Sequence, residues 1–232
     1  MRIVCHIPVR AGSKRAPNKN IRRIGEIRVV EYAITAAVEA DVFDEVWLNT
    51  DSDILIGEHA EGILRYSKKI KIYHRPEELC SDSVTSDEFN LDFAKKIEAD
   101  ILVMVNPVCP LVSSDTIRSA VEVFKENFLE KDTLITCTST KMQVFYKNGP
   151  VNISVSEKLR PSQENNSVST LNWAVTAWNK ISFLERYAKY GHAVLGDSRI
   201  LYDINPIEGL KISDESDFEL IAALITSKGT KV

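Results

Sequence analysis

The chain has 232 residues, of which 44% are apolar, and a formal net charge of −4. This length and apolar content suffice for one full-sized hydrophobic core, so we expect a single domain over residues 1–232. The acidic balance argues against a general binder of nucleic acids or membrane surfaces, because such proteins carry a broad excess of positive charge. The sequence has neither a signal peptide nor an apolar run near the roughly 20 residues of a membrane span, which predicts a cytoplasmic protein.

Apolar strand-like runs alternate with helical patterns along the first half of the chain. Strands are predicted over 2–9 and 45–49, and helices over 29–40 and 114–128. A continuous apolar run at 101–105 is typical of a central strand that is buried on both faces. This alternation predicts an α/β fold with a mostly parallel central sheet covered by helices.

The stretch 133–177 differs from this pattern, because it consists of short β-prone pieces joined by Asn-Gly and Pro turns. The pieces are residues 133–138, 143–146, 151–155 and 169–177. They predict β-hairpins added to the parallel core, and we expect this excursion to form the contact of a homodimer. Beyond it the sequence predicts a helix over 179–190, a short strand over 193–195 and a last helix over 214–225.

The loop that follows the first strand concentrates positive charge. Residues 7–20, IPVRAGSKRAPNKN, contain four basic side chains and no acidic one. In open α/β sheets, ligands bind outside the carboxyl ends of the strands, where basic groups and a glycine such as Gly12 suit phosphate. The loop has neither the GxxxxGK[ST] nor the GxGxxG pattern. A bound polyphosphate is one interpretation, and a solvated surface loop is the other.

The same loop resembles the amino-terminal signature of the acylneuraminate (sialic acid) cytidylyltransferases, which reads Pro-x-Arg-x-Gly-Ser-Lys, a short spacer and Lys-Asn. Residues 8–20 carry this pattern. In that family the segment wraps the triphosphate of CTP and approaches the base. The resemblance therefore implies nucleotide binding by Arg10, Ala11, Gly12, Ser13, Lys19 and Asn20. It also implies that Arg10, Lys14 and Lys19 act in catalysis by neutralising the leaving pyrophosphate.

Further segments resemble later blocks of this family. RPEELCSDSVTS resembles its second nucleotide-contacting segment, which implies that Arg75 and Ser86 line the CTP pocket. NPVCPL resembles the Gln-Pro-Thr-Ser-Pro-Leu block, and SQENNSVSTLNWAV keeps the spacing of a block that elsewhere reads Arg-Gln-Asp and then Asn-Gly-Ala. The acceptor is accordingly expected at Asn106, Lys141, Ser162 and Gln163. Two of these positions depart from the family, which has Gln and Arg where this chain has Asn106 and Ser162.

The end of the chain also departs from this family. Its Asp-Ile-Asp-Thr motif, whose carboxylates hold Mg²⁺, falls on Lys211-Ile212-Ser213-Asp214. Lysine and serine do not supply the oxygen ligands that Mg²⁺ prefers, which leaves Asp203 and Asp214 as weaker candidates. LKISDESDFELIAAL resembles instead the closing motif of the methylerythritol-phosphate cytidylyltransferases, in which the Lys contacts phosphate. A catalytic Lys211 that stabilises transition-state charge is one interpretation, and a surface lysine before a capped helix is the other.

Together these resemblances imply a divergent member of the family with a single Rossmann-like (GT-A-like) nucleotidyltransferase domain. We expect it to transfer CMP from CTP to a keto sugar acid with Mg²⁺ as cofactor, which gives a CMP-sugar for surface polysaccharide synthesis. One alternative is a polyol phosphate or phosphonate acceptor with a CDP-type product. The other is an inactive relative that only binds nucleotide. His6 is expected to be a buried, hydrogen-bonded imidazole, and Trp173 to pack in the core or at a dimer contact.

Overall fold

The computed structural model describes residues 1–12, 16–57 and 60–229. The strands are β1 (Ile3–Val9), β2 (Arg23–Ile24), β3 (Ile27–Arg28), β4 (Glu45–Thr50), β5 (Ile70–His74), β6 (Ile101–Val105), β7 (Thr133–Thr140), β8 (Phe145–Tyr146), β9 (Gly149–Pro150), β10 (Val168–Asn179) and β11 (Arg199–Asp203). The helices are α1 (Val29–Ala40), α2 (Asp53–Ile56), α3 (Ala60–Leu64), α4 (Ser86–Lys96), α5 (Ser114–Glu126), α6 (Lys180–Tyr190) and α7 (Glu215–Gly229). No helix within the described ranges is long and apolar enough to cross a membrane.

Most of the strands join one central sheet. Within the described residues this sheet has seven strands in the order β11-β7-β10-β6-β1-β4-β5. β1 pairs in parallel with β4 and β6, and β4 pairs in parallel with β5. Only β10 reverses direction among these strands, since it pairs antiparallel with both β6 and β7. The predicted α/β fold with a mostly parallel sheet is therefore confirmed, and the carboxyl ends of β1, β4, β5 and β6 meet at one edge.

β1 lies in the middle of the sheet and is covered on both faces. Its odd-numbered residues, 3–9, belong to the core cluster that α1 and α5 complete. Val4 faces the other way and packs in a second cluster with Phe93 of α4 and Phe183 of α6. Burial on both faces explains why this strand is almost continuously apolar rather than alternating with polar residues.

Short-range capping interactions set the helix boundaries. The Ser113 hydroxyl accepts a hydrogen bond from the Thr116 backbone N–H at 3.1 Å and thereby begins α5. Asn179 similarly accepts from the N–H groups of Ile181 and Ser182 at 3.1 and 3.2 Å. The helix predicted over 179–190 therefore begins one residue later, at Lys180, because Asn179 is its cap.

The predicted strand over 193–195 is wrong. These residues form a turn in which Ala193 and Val194 are buried in the second core cluster. The strand of this region is β11, which lies at the sheet edge and, within the described residues, pairs with β7 alone. Ala193 and Val194 are apolar because they pack against helices, and a short apolar run does not distinguish such packing from strand pairing. The sequence analysis also missed β5, the strand at the opposite edge.

The predicted excursion over 133–177 is narrower in the structure. Its two ends are β7 and β10, which are long strands of the central sheet. Residues 141–167 leave the sheet and contain the small antiparallel hairpin of β8 and β9. The strand predicted over 151–155 is wrong, because these residues form bends without strand pairing.

Candidate active site

A cleft of about 690 Å³ opens where the first strands of the parallel sheet end. Pro8 of β1 and Met104 of β6 form part of its floor, together with residues of the loops that follow these strands. The predicted site residues that line it are Arg10, Gly12, Lys19, Asn20, Arg75, Ser86, Asn106 and Lys211. The structure thus brings together residues that are up to 201 positions apart in the chain, from Arg10 to Lys211. Ser13 and Lys14 lie outside the described residues.

The basic loop forms one wall of this cleft. Arg10 makes an ion pair with Asp82 at 2.6 Å, and the Ala11 backbone N–H donates to Asp51 at 2.8 Å. Lys19 reaches across to the end of the chain, where its ammonium donates to the carbonyl of Ile212 at 2.8 Å. This bond brings the basic loop next to Lys211, which also lines the cleft. Cationic side chains therefore converge from two distant segments.

Arg75 occupies the opposite wall and is only 8% exposed. Its Nε donates to Oδ1 of Asn49 at 2.9 Å, and its Nη2 donates to the Asn49 carbonyl at 3.1 Å. Burial lowers the pKa of the Arg75 guanidinium, and the charge of Asp51 opposes this effect. No carboxylate among the described residues lies within ion-pair distance of it. A buried guanidinium of this kind suits an oxygen-rich or anionic ligand.

A one-directional chain of hydrogen bonds connects Arg75 to Ser86. Because Asn49 Oδ1 accepts from Arg75, its Nδ2 is the donor to Nε2 of His6 at 2.9 Å. His6 therefore carries its proton on Nδ1 and donates it to Oδ1 of Asn90 at 3.0 Å. Asn90 Nδ2 in turn donates to the carbonyl of Ser86 at 2.8 Å. Two predicted nucleotide-binding residues are thus oriented by one buried network.

His6 is neutral within this network. Burial lowers the pKa of His6 to about 3, and the nearby positive charge of Arg75 acts in the same direction. The hydrogen bond to Asn90 opposes the shift without reversing it. The imidazole stacks on the ring of Phe93 with centroids 4.0 Å apart. The prediction of a buried, hydrogen-bonded imidazole is confirmed.

Asn20 contributes an unused acceptor to the cleft. Its side chain is 8% exposed, and Nδ2 donates to the Arg10 carbonyl at 3.3 Å. Its Oδ1 is buried and has no hydrogen-bond partner in the described part of the chain. An unsatisfied buried acceptor costs about 1–3 kcal/mol, so this oxygen is a candidate to accept a hydrogen bond from a ligand.

The predicted acceptor residues do not come together in one cleft. Asn106 lines the cleft, and its Oδ1 accepts from the Val108 backbone N–H at 3.3 Å. Lys141, Ser162 and Gln163 lie on segment 141–167 and do not line it. There the Lys141 ammonium donates to the carbonyl of Gln163 at 2.8 Å, on an exposed surface.

The candidate magnesium ligands do not fit a metal site. Asp203 accepts a hydrogen bond from the Ser139 backbone N–H at 2.9 Å. Asp214 caps α7, where its Oδ1 accepts from Ser216 at 2.8 Å and from the Asp217 N–H at 3.1 Å. Neither aspartate lines the cleft, and the described residues contain no group of three potential metal ligands. The prediction that these carboxylates hold Mg²⁺ therefore has no support in the geometry of this chain.

Trp173 is a residue of the cleft that the sequence analysis did not assign to it. The predicted core packing is partly correct, since the side chain also contacts the second core cluster. One face of the site is nevertheless made by this tryptophan, together with Phe89 and Met104. One sequence signal could have indicated this residue. The family block that reads Asn-Gly-Ala has Trp173 in place of its Gly in this chain.

Comparison with known proteins identifies the family of this chain. Residues 4–190 match the family model described as Cytidylyltransferase, which is most of the chain. The chain belongs to the cytidylyltransferase family. It is therefore a CTP-dependent nucleotidyltransferase, and the resemblance identified from the basic loop is confirmed.

Individual relatives support the same assignment. The chain is 26% identical over 237 residues to the Post-translational flagellin modification protein B of Campylobacter coli, covering 97% of this chain and 96% of that protein. It is 27% identical over 241 residues to the N-acylneuraminate cytidylyltransferase of Escherichia coli O18:K1:H7, covering 98% of this chain and 53% of that protein. This cytidylyltransferase thus spans about half the length of the second relative.

A solved structure has the same fold. The CMP:2-keto-3-deoxy-manno-octonic acid synthetase in complex with CTP superposes with a TM-score of 0.69 at 15% identity. The match covers 98% of this chain and 100% of that one. At this identity the likeness concerns the fold alone, and it confirms the predicted nucleotidyltransferase architecture.

Proposed function

We propose that this cytidylyltransferase transfers CMP from CTP to a keto sugar acid, for surface polysaccharide synthesis. A hydroxyl oxygen of the acceptor attacks the α-phosphorus of CTP, and the bond from this phosphorus to the oxygen that bridges it to the β-phosphorus breaks. Pyrophosphate leaves, and the hydroxyl proton passes to solvent. The observation that carries the proposal is the charge of the cleft. The cleft is lined by four cationic side chains, those of Arg10, Lys19, Arg75 and Lys211. Within the described residues, Asp82 supplies the one carboxylate that lines it.

Positioning and charge neutralisation are the main contributions that such a reaction needs from the protein. Arg10 and Lys19 lie on the loop wall and would bind the phosphates that leave as pyrophosphate. Arg75 and Ser86, held by the hydrogen-bond chain through His6, would orient the cytidine. Lys211 would lie near the transferred phosphate and stabilise its transition-state charge.

Asn20 is proposed to select cytosine, because its unpartnered Oδ1 can accept from an exocyclic amine, whereas uracil offers an oxygen there. Asn20→Leu is expected to lower the preference for CTP over UTP by about tenfold or more, the loss of one buried hydrogen bond. The measurement is the ratio of kcat/KM for the two nucleotides. Asn20→Asp keeps an acceptor oxygen and serves as the control. An unchanged ratio in Asn20→Leu contradicts the assignment.

Mg²⁺ is proposed to enter with the triphosphate rather than to be held by Asp203 or Asp214. Both carboxylates are engaged in hydrogen bonds of the fold, as described above. Turnover is then expected to require added Mg²⁺ in the assay below and to stop when the metal is chelated.

A homodimer is proposed through segment 141–167. This segment exposes large apolar side chains, among them Met142 and Tyr146 at 71% and 69% exposure, as is common at protein interfaces. In such a dimer Lys141, Ser162 and Gln163 would reach the cleft of the neighbouring copy. Light scattering coupled to size-exclusion chromatography is expected to give twice the chain mass at micromolar concentration. A monomer mass contradicts the proposal.

A phosphorylated polyol or a phosphonate is the second candidate for the acceptor. Lys211 supports it, because this ammonium lines the cleft and makes no ion pair within the described residues. A phosphate nucleophile is already ionised and needs no base, which agrees with a cleft that has few carboxylates. The product would then be of the CDP type.

Pyrophosphate release from CTP and Mg²⁺ tests these proposals. The panel contains keto sugar acids, polyol phosphates and phosphonates, with ATP, GTP and UTP as controls. Turnover with keto sugar acids is the expected result, whereas turnover only with phosphorylated acceptors supports the second candidate. CTP binding without turnover on any acceptor would indicate an inactive relative.

A further inference from the structure

Trp173 has a backbone conformation that is unusual for a large side chain. Its φ is +61°, in the left-handed region that bulky residues rarely adopt. β10 pairs regularly with β7 up to Leu171, opposite Cys137, and resumes only at Thr176, opposite Ile135. Trp173 therefore lies in a β-bulge, a feature that redirects side chains and is frequent beside active sites.

Specific hydrogen bonds hold this bulge in place. Asn172 Oδ1 accepts from the Thr136 hydroxyl at 2.7 Å and from the Ala174 backbone N–H at 3.1 Å. The Asn106 backbone N–H donates to the Ala174 carbonyl at 2.9 Å, which connects the bulge to the loop after β6. Strained conformations persist where the surrounding structure determines them in this way, and they concentrate at ligand sites.

The side chain of Trp173 offers two unused recognition features. Trp173 lines the cleft together with Asn106, one of the residues at which the acceptor is expected. The indole N–H groups of Trp47 and Trp178 donate to Glu45 and to the Val194 carbonyl, both at 2.8 Å. Within the described residues, the Trp173 N–H has no such partner. The cleft thus presents an aromatic surface with one available donor.

We propose that Trp173 determines acceptor specificity by packing on the apolar C–H face of a sugar ring and donating its N–H to an acceptor oxygen. This inference rests on the proposed function and narrows it to acceptors that carry a ring. An open-chain polyol phosphate has no ring face to pack on the indole. The strained bulge then serves to hold the indole at the acceptor.

Two substitutions separate these contributions. Trp173→Gly adopts φ +61° without strain, so the variant is expected to fold, and it removes both the ring and the N–H. Its KM for a ring-shaped keto sugar acid is expected to rise about tenfold or more, while its KM for CTP stays within about twofold. Trp173→Phe keeps an aromatic face without the donor, and its acceptor KM is expected to rise about two- to tenfold. Trp47→Phe, outside the cleft, serves as the matched control.

The outcomes are distinguishable from failure of the proposed function. An unchanged acceptor KM in both variants overturns the inference, as does a KM for CTP that rises as much as the acceptor KM. Titration of the wild type with the sugar acid, read by tryptophan fluorescence, gives a second test without turnover. A fluorescence change that Trp173→Phe abolishes supports the inference even if no CMP is transferred. If the sugar acid binds with the same fluorescence change in that variant, Trp173 is not part of its site.

Discussion

Lys211→Met is expected to lower kcat by about 100- to 1000-fold, while the KM for CTP changes by less than about fivefold. Lys211 lines the cleft beside the basic loop, whose Lys19 contacts the neighbouring Ile212 carbonyl. An ammonium at this position stabilises charge that develops on the transferred phosphate, and removing one such group typically costs this factor in rate. Because the effect belongs to the transition state, it appears in kcat rather than in CTP binding.

Steady-state pyrophosphate release with the best acceptor measures this effect. Lys211→Arg keeps the positive charge and is expected to recover part of the rate. Lys125→Met removes an exposed lysine of α5 and is the matched control for loss of one charge. If Lys211→Met and Lys125→Met have the same kcat, Lys211 is a surface lysine, and other groups neutralise the transferred phosphate.

Acid conditions are expected to destabilise the fold through His6. The pKa of His6 is near 6.5 in the unfolded chain and is lowered to about 3 by burial in the folded one. Between these values the unfolded chain binds one more proton, so the free energy of unfolding falls as the pH falls. The loss from this group is about 1.4 kcal/mol per pH unit below pH 6.5, and its contribution is complete above that pH.

The surroundings of His6 explain why protonation is unfavourable. Asn49 donates to Nε2, so a second proton there would face a donor. Arg75 is the charged group that acts on it, Asn90 accepts from Nδ1, and Phe93 covers the ring. An imidazolium would break the chain between Arg75 and Ser86, and nearby positive charge would oppose it.

Urea unfolding at pH 7.5 and pH 5.0 measures this dependence. His6→Gln lacks the titrating group, so its loss of stability between the two pH values is expected to be smaller than that of the wild type by about 2 kcal/mol. Comparing the loss of unfolding free energy in the two proteins cancels the contribution of the carboxylates that both share. Equal losses in the wild type and in His6→Gln would mean that His6 does not titrate as its burial requires.

Local patterns were sufficient for much of the fold. The helix over 29–40 and the central strand over 101–105 were predicted with the bounds that the structure has. Their signals are short-range, since apolar periodicity and capping groups act within a few residues. The basic loop was likewise identified from its own composition, and the rule that ligands bind at the carboxyl ends of parallel strands placed it correctly.

Segments whose character depends on distant partners were predicted less well. Residues 193–195 look like a strand, but Ala193 and Val194 are apolar because they pack with residues of α4 and α6. Asp214, a weaker candidate for binding Mg²⁺, instead caps a helix, where its carboxylate accepts from backbone and hydroxyl groups of its own turn. Local residue identity does not separate these roles, because the same side chain can cap a helix or bind a ligand.

The sequence by itself thus determined the family, the parallel α/β core and the cationic loop of the cleft, because short-range patterns and a contiguous motif encode them. Only the tertiary structure decided which side chains complete the site. His6 meets Asn49 and Asn90 across 43 and 84 residues of chain, and the bulge at Trp173 depends on pairing between β10 and β7. Such contacts arise from the packing of separate elements, and neither spacing nor composition specifies them.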